Sequence, residues 1–179
     1  MNVIVDLIGE VVESMRNVSV EDAAKFGVTA GQPSPYYFYG HPMDINKQLI
    51  ENDKSIAKKN QKYPAIFLRL PIVEQIQDGL IGFNLNLGIM DVTKKDYNTP
   101  ERYEHVIKPI LIPLYELFLD RLKKKGFTWG GYLLIPPHTK VDQPHHGVEA
   151  TQGNKAYVFE SALDAIEIIN LKINKRIKC

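Results

Sequence analysis

The chain has 179 residues with a formal net charge of +1, 44% hydrophobic and 24% charged residues, and a single cysteine at its last position. These values fit one domain with an ordinary core. They exclude an intrachain disulfide, and they lack the basic excess with which nucleic-acid binders meet phosphate.

No secretory leader is expected, because Asp6, Glu10 and Glu13 interrupt the first apolar residues. The most apolar run, Ile110 to Leu119, is too short to span a bilayer and contains Glu116. Asn2 to Met15 reads as a helix, with Val3, Leu7, Ile8, Val11, Val12 and Met15 at helical spacing. Residues 17–35 read as mostly loop, with a short helix at Val20 to Phe26. Tyr36-Tyr37-Phe38-Tyr39 is a short strand stopped by Gly40 and Pro42. Asp44 to Asn60 is a helix with the weak stripe Ile45, Leu49 and Ile56, and Tyr63-Pro64 breaks it. Ala65 to Leu70 is a strand ending at Pro71, and Ile72 to Gly79 is a connection with strand character at its start.

The clearest pattern follows. From Leu80 to Val92, Ile81, Phe83, Leu85, Leu87 and Ile89 alternate with Gly82, Asn84, Asn86 and Gly88. A period of two puts one face on a core and leaves the other small and polar. Pro100 to Lys125 is a long amphipathic helix. Thr99 is the expected cap, Pro100 suits the first turn, and Lys123, Lys124 and Lys125 complement the negative end. Pro109 and Pro113 lie inside it. Each should kink an ordinary helix at a cost of roughly 3 kcal/mol, yet the apolar stripe continues across both, so one bent helix is expected.

Phe127 to Ile135 reads as a strand carrying Trp129. Pro136 to Asn154 is a polar insert with three prolines and no periodicity, the heart of an extended loop over 136–160. Tyr157 to Phe159 is a short returning strand, and Asp164 to Asn174 closes the domain.

Candidate chemistry is sparse. His138, His145 and His146 lie near Asp142 and Glu149, but their spacing matches no metal motif, and a flexible loop does not preorganise ligands. Ser161 lacks the glycine-flanked turn of a catalytic serine, and Gly79, Gly82 and Gly88 form no phosphate loop. The lysine runs read as solvated ends of elements. No catalytic residue, cofactor site or metal site is assigned, and an enzyme is not expected.

Several segments together resemble the tail terminator, or tail-completion, proteins of tailed bacteriophages. They are the N-terminal helix, the aromatic Tyr36-Tyr37-Phe38-Tyr39-Gly40, the strand entered through Tyr63-Pro64-Ala65-Ile66-Phe67-Leu68, the alternating strand into Asp91-Val92, the helix Glu101 to Leu122, and the closing Asp164-Ala165-Ile166-Glu167-Ile168-Ile169-Asn170-Leu171. The resemblance spans most of the chain and is weakest over 17–35 and 136–160. It implies a single-domain α/β (α+β) sandwich, with a mostly antiparallel sheet, helices packed on one face and a long loop or arm. It also implies a homo-oligomeric ring, usually sixfold, at the head-proximal end of the tail in the virion, assembled in the host cytoplasm. The partners would be copies of the chain, the tail tube protein and a head-closure or neck protein, with no membrane and with DNA only as passing cargo.

The expected interface with subunit or tube takes in Pro137, His138, Lys140, Asp142, Gln143, His145 and His146 in the arm, with Asn84 and Asn86 on the minor face of the sheet. Two other readings remain at this level. One is a head-closure or adaptor neck protein, and the other is a small metal-dependent enzyme using the histidine loop.

Overall fold

The computed structural model describes residues 3–16, 18–28, 35–58, 60–77, 80–125, 135–146, 148–151, 154–157 and 161–176. The strand expected over Phe127 to Ile135 lies outside the described residues except for Ile135, and so does most of the one expected at Tyr157 to Phe159.

Helix α1 spans Val3–Glu13 and α2 spans Val20–Phe26, where the Ser19 side chain accepts from the Asp22 amide at 3.1 Å and caps the helix. Strand β1 (Tyr36–Gly40) leads into α3 (Pro42–Lys54), then β2 (Ala65–Gln77) and β3 (Leu80–Val92). A long helix, α4, follows in three segments. They are an α-turn Thr99–Arg102, a π-helical stretch Tyr103–Leu111, and an α-helical stretch Ile112–Lys124. Then come β4 (Thr139–His146), β5 (Val148–Thr151), β6 (Asn154–Tyr157) and β7 (Leu163–Arg176).

Among the described residues five strands form one sheet in the order β1-β2-β3-β7-β4, and β5 with β6 forms a separate hairpin. Only β1 and β2 run parallel; the other sheet pairs are antiparallel. The α+β class expected from the sequence is thus the class observed. The period of two in β3 explains its central place. Phe83, Leu85, Leu87 and Ile89 join Ile66 and Leu68 of β2 and Ile166, Ile168, Leu171 and Ile173 of β7 under α1, α2 and α4. Full burial of each such side chain contributes about 1.5–3 kcal/mol before entropy is counted.

Helix α3 departs from the expected single helical layer. Its Ile45 and Leu49 pack with Phe38, Phe67, Met90 and Ala165 on the opposite face of the sheet, near one end.

Four local readings are corrected. Helix α3 ends at Lys54, so Ile56 is no part of its stripe and stands fully exposed. Strand β2 does not stop at Pro71 but continues to Gln77, with a register shift between Arg69 and Val73. Proline is tolerated there because β1 pairs only as far as Arg69, so Pro71 lies on an outer edge beside a bulge. The cap of α4 is Asn98. Its side chain accepts from the Glu101 amide at 3.0 Å while Glu101 accepts from the Asn98 amide at 2.8 Å. Last, the insert after Pro136 is not structureless, since residues 139–146 form β4 on β7 of the same domain.

The two prolines of α4 are absorbed by the π-helical stretch. Its wider turn relieves the clash that Pro109 would make with the preceding carbonyl in an α-helix. Pro113 falls in the first turn of the next α-helical segment, where the bonding register changes.

Candidate functional site

The residues expected to form one interface fall into two places. Pro137 to His146 lie in and before β4, at one edge of the sheet. Asn84 and Asn86 lie on β3, with β7 between them and β4.

The asparagines have a structural task. Asn170 takes a positive φ of 56° where β7 bulges against β3. Its amide donates to Asn86 Oδ1 at 3.0 Å, and its Oδ1 lies 3.5 Å from Asn84 Nδ2. Those side chains fill the hydrogen bonds that the bulge removes from the ladder.

The histidines are not loose in a loop. The Nδ1 of His138 is 2.7 Å from the Pro136 carbonyl, which can only accept, so Nδ1 carries the proton. The Nε2 then accepts from the Tyr115 hydroxyl at 2.6 Å. Both ring nitrogens are engaged, and the loop is fastened to α4. Pro137 adds a tie through its carbonyl, which accepts from the Lys172 amide at 3.1 Å. Lys140 lies 5.5 Å from the Tyr115 ring centre and pairs with Asp142, while Gln143 is exposed opposite Ala165. His145 is exposed at a φ of 58°, and its amide donates to Asp164 Oδ1 at 3.0 Å.

His146 belongs to a polar cluster that local sequence patterns do not signal. On the face away from the main helical layer, Arg69 of β2 and Glu167 of β7 meet at 2.5 Å above Gly88 of β3. A Cβ on Gly88 would sit 2.5 Å from Met90 Cε and 3.3 Å from Arg69 Nη2, so a side chain there would displace the ends of both neighbours. Arg69 Nη2 is 3.4 Å from His146 Nε2, and His146 Nδ1 is 3.2 Å from Glu167 Oε1. Arginine can only donate, so this arrangement suits a neutral imidazole protonated at Nδ1. Burial and the Arg69 charge, partly offset by Asp164, hold the His146 pKa down at about 4. Burial pushes the Glu167 carboxyl up, and Arg69 pulls it down.

A second buried cluster joins the ends of several elements. Arg102 donates from Nη1 to Asp164 Oδ1 at 2.9 Å, from Nε to the Tyr97 carbonyl at 2.9 Å, and from Nη2 to the Lys94 carbonyl at 3.1 Å. Asp91 lies opposite Asp164 across β3 and β7, and burial, with Asp164 adding, lifts its pKa to about 6.

Among the described residues, no three His, Cys, Asp or Glu side chains are grouped so as to hold a metal ion. No described helix is long and apolar enough to cross a membrane. The buried clusters are cross-strand ties, and the accessible chemistry lies at the edges of the sheet and along its projecting strands. Past Arg69, β2 has no partner on its outer side among the described residues. It carries exposed Leu70, Val73 and Ile76 there, next to exposed Leu80 of β3. No family model matches the chain, and no curated protein and no solved structure matches it.

Proposed function

We propose that the chain is a structural protein of a phage virion. Copies of it form a ring at the head-proximal end of the tail, end the tail tube and join it to the neck. The order of elements in the sequence supports the reading, and one observation carries it further. Toward its far end the β2–β3 hairpin is less covered on its β2 side, although Ile81 of β3 still packs against the main core. On the helical face Phe83 is 5% exposed, yet Ile76, two rows further out, is 70% exposed. An open, apolar strand edge is a liability in a monomer and an asset in an assembly that covers it. The projecting hairpin suits contact with the tube.

Light scattering of purified protein, alone and with assembled tail tube, tests the reading. The expected result is a mass several times that of one chain in at least one condition. Val73→Asp and Ile76→Asp should leave the subunit folded and abolish its arrest of tube growth. A monomer in both conditions overturns the proposal.

A further inference from the structure

We infer that the sheet runs on from one copy of the chain to the next, the β4 edge of one subunit adding to the β1 edge of its neighbour. The inference rests on the ring reading and says where the ring is joined.

Among the described residues the outer strands of the sheet are β1 and β4. In β1 the Tyr36 amide donates to the Pro64 carbonyl at 2.9 Å, toward β2. Alternation then turns the amides and carbonyls of Tyr37 and Tyr39 outward. Among the described residues no backbone bond outside the ladder takes these groups up. The edge of β1 is five residues long. In β4 the regular register covers Thr139 to Gln143, also five residues, before the shift at Pro144 ends it. The two edges thus match in length.

Their directions match as well. β1 and β2 run together, β3 reverses, β7 reverses again, and β4 reverses once more. A neighbour placed with its helical layer on the same side therefore presents β4 antiparallel to β1, the more stable pairing.

Side chains complement one another on both faces. On the helical face β1 carries Tyr37 and Tyr39, with ring centres 6.2 Å apart and Tyr39 exposed. On that face β4 carries Lys140 and Asp142, aligned with Ile168 and Ile166 of the core. A lysine over a tyrosine ring and a phenol beside a carboxylate are favourable pairs. On the other face β1 carries Tyr36 and Phe38, and β4 carries exposed Val141 and Gln143. Beside β1 lies an open cavity of about 370 Å³ bounded by Arg16, Tyr36, Gln48, Glu51 and Lys58, with room for the neighbour's polar side chains. The edges differ in sequence, so the contact is head-to-tail, and such contacts close into rings when the rotation allows.

Disulfide trapping tests this. Facing positions of an antiparallel pair hold Cβ atoms about 4.5–5.5 Å apart, close enough for a bridge after small adjustment. In a Cys179→Ser background, Tyr39→Cys with Lys140→Cys, which face each other when the five-residue edges are fully matched, should give on one chain a ladder of covalent multimers on oxidation. The two single-cysteine variants should remain uncrosslinked alone and give one dimer when mixed. Val141→Asp, a surface change that keeps the fold, should reduce assembly at least tenfold. If wild type assembles but the ladder is absent and Val141→Asp has no effect, the edge joint is wrong and the ring reading stands. Crosslinking of Tyr39→Cys with itself would also overturn the joint. A wild type that stays monomeric with the tube overturns both.

Discussion

Arg102 and Asp164 form an ion pair that water does not reach. The Nη1 to Oδ1 distance is 2.9 Å, and the side chains are 3% and 0% exposed. The remaining nitrogens of Arg102 hold the loop carbonyls of Lys94 and Tyr97, and Asp164 also receives the His145 amide. One pair therefore fixes the start of α4, the preceding loop, β7 and the end of β4.

Breaking a buried pair leaves the other charge stranded, which costs about 3–5 kcal/mol. Arg102→Ala should lower the urea midpoint accordingly. Replacing both residues with apolar side chains of similar volume should recover part of that loss. Single-variant losses that simply add in the double variant would show that the two are not coupled.

The contribution of His146 to stability should fall on mild acidification. Its unfolded imidazole takes a proton at the ordinary pKa near 6.5, while the folded one resists to about 4. Between those values the unfolded state binds more protons, so this contribution is whole above pH 6.5, is lost as pH falls, and levels off below about 4. Arg69, Glu167 and Asp164 are among the groups that face the imidazole. The slope approaches at most about 1.4 kcal/mol per pH unit for one site. Denaturation of wild type and His146→Gln between pH 7 and pH 4 should show a stability difference that shifts in favour of the variant as pH falls; a constant difference would place the titration elsewhere.

Asp91 should behave in the opposite sense. Its folded carboxyl holds a proton up to about pH 6, against an ordinary value of 3.8. The stability linked to it is present at low pH and is lost as pH rises through that window. In Asp91→Asn the introduced amide oxygen would still accept from the Val92 amide, the bond that Asp91 makes at 2.8 Å. The substitution should therefore stabilise the protein by about 1 kcal/mol at pH 7 and by much less near pH 4. A loss of stability at pH 7 would refute the burial argument.

His145 and His138 should respond differently to substitution. His145→Asn, a residue that tolerates the φ of 58° at this exposed site, should stay within about 0.5 kcal/mol of wild type. His138→Ala and Tyr115→Phe should each cost about 1 kcal/mol through their shared hydrogen bond. The double variant should cost less than the sum of the two, and strict additivity would show that the bond carries no energy.

Legibility in the sequence follows burial. Strand β3 is readable residue by residue because both of its flanks are occupied and its helical face is largely covered. Strand β4 is not readable, because an edge strand that is mostly exposed needs no apolar alternation, and Val141 is its only aliphatic residue. Strand β2 reads as ending at Pro71 because proline breaks a central strand, whereas here the proline sits on an edge. The Arg69–Glu167–His146 cluster joins residues 77 and 98 positions apart, and no local pattern encodes such a meeting.

The position of β7 has a consequence for synthesis. It is the last described strand in the chain, yet it sits between β3 and β4. While the chain emerges from the ribosome, β4 has no partner, and the inner edge of β3 stays bare until residues 163–176 appear. The core under α4 lacks Ile166, Ile168, Leu171 and Ile173 until the same moment. Closure of the sheet is thus deferred until residues 163–176 have been made, and a product interrupted before them exposes the apolar row that the folded subunit hides.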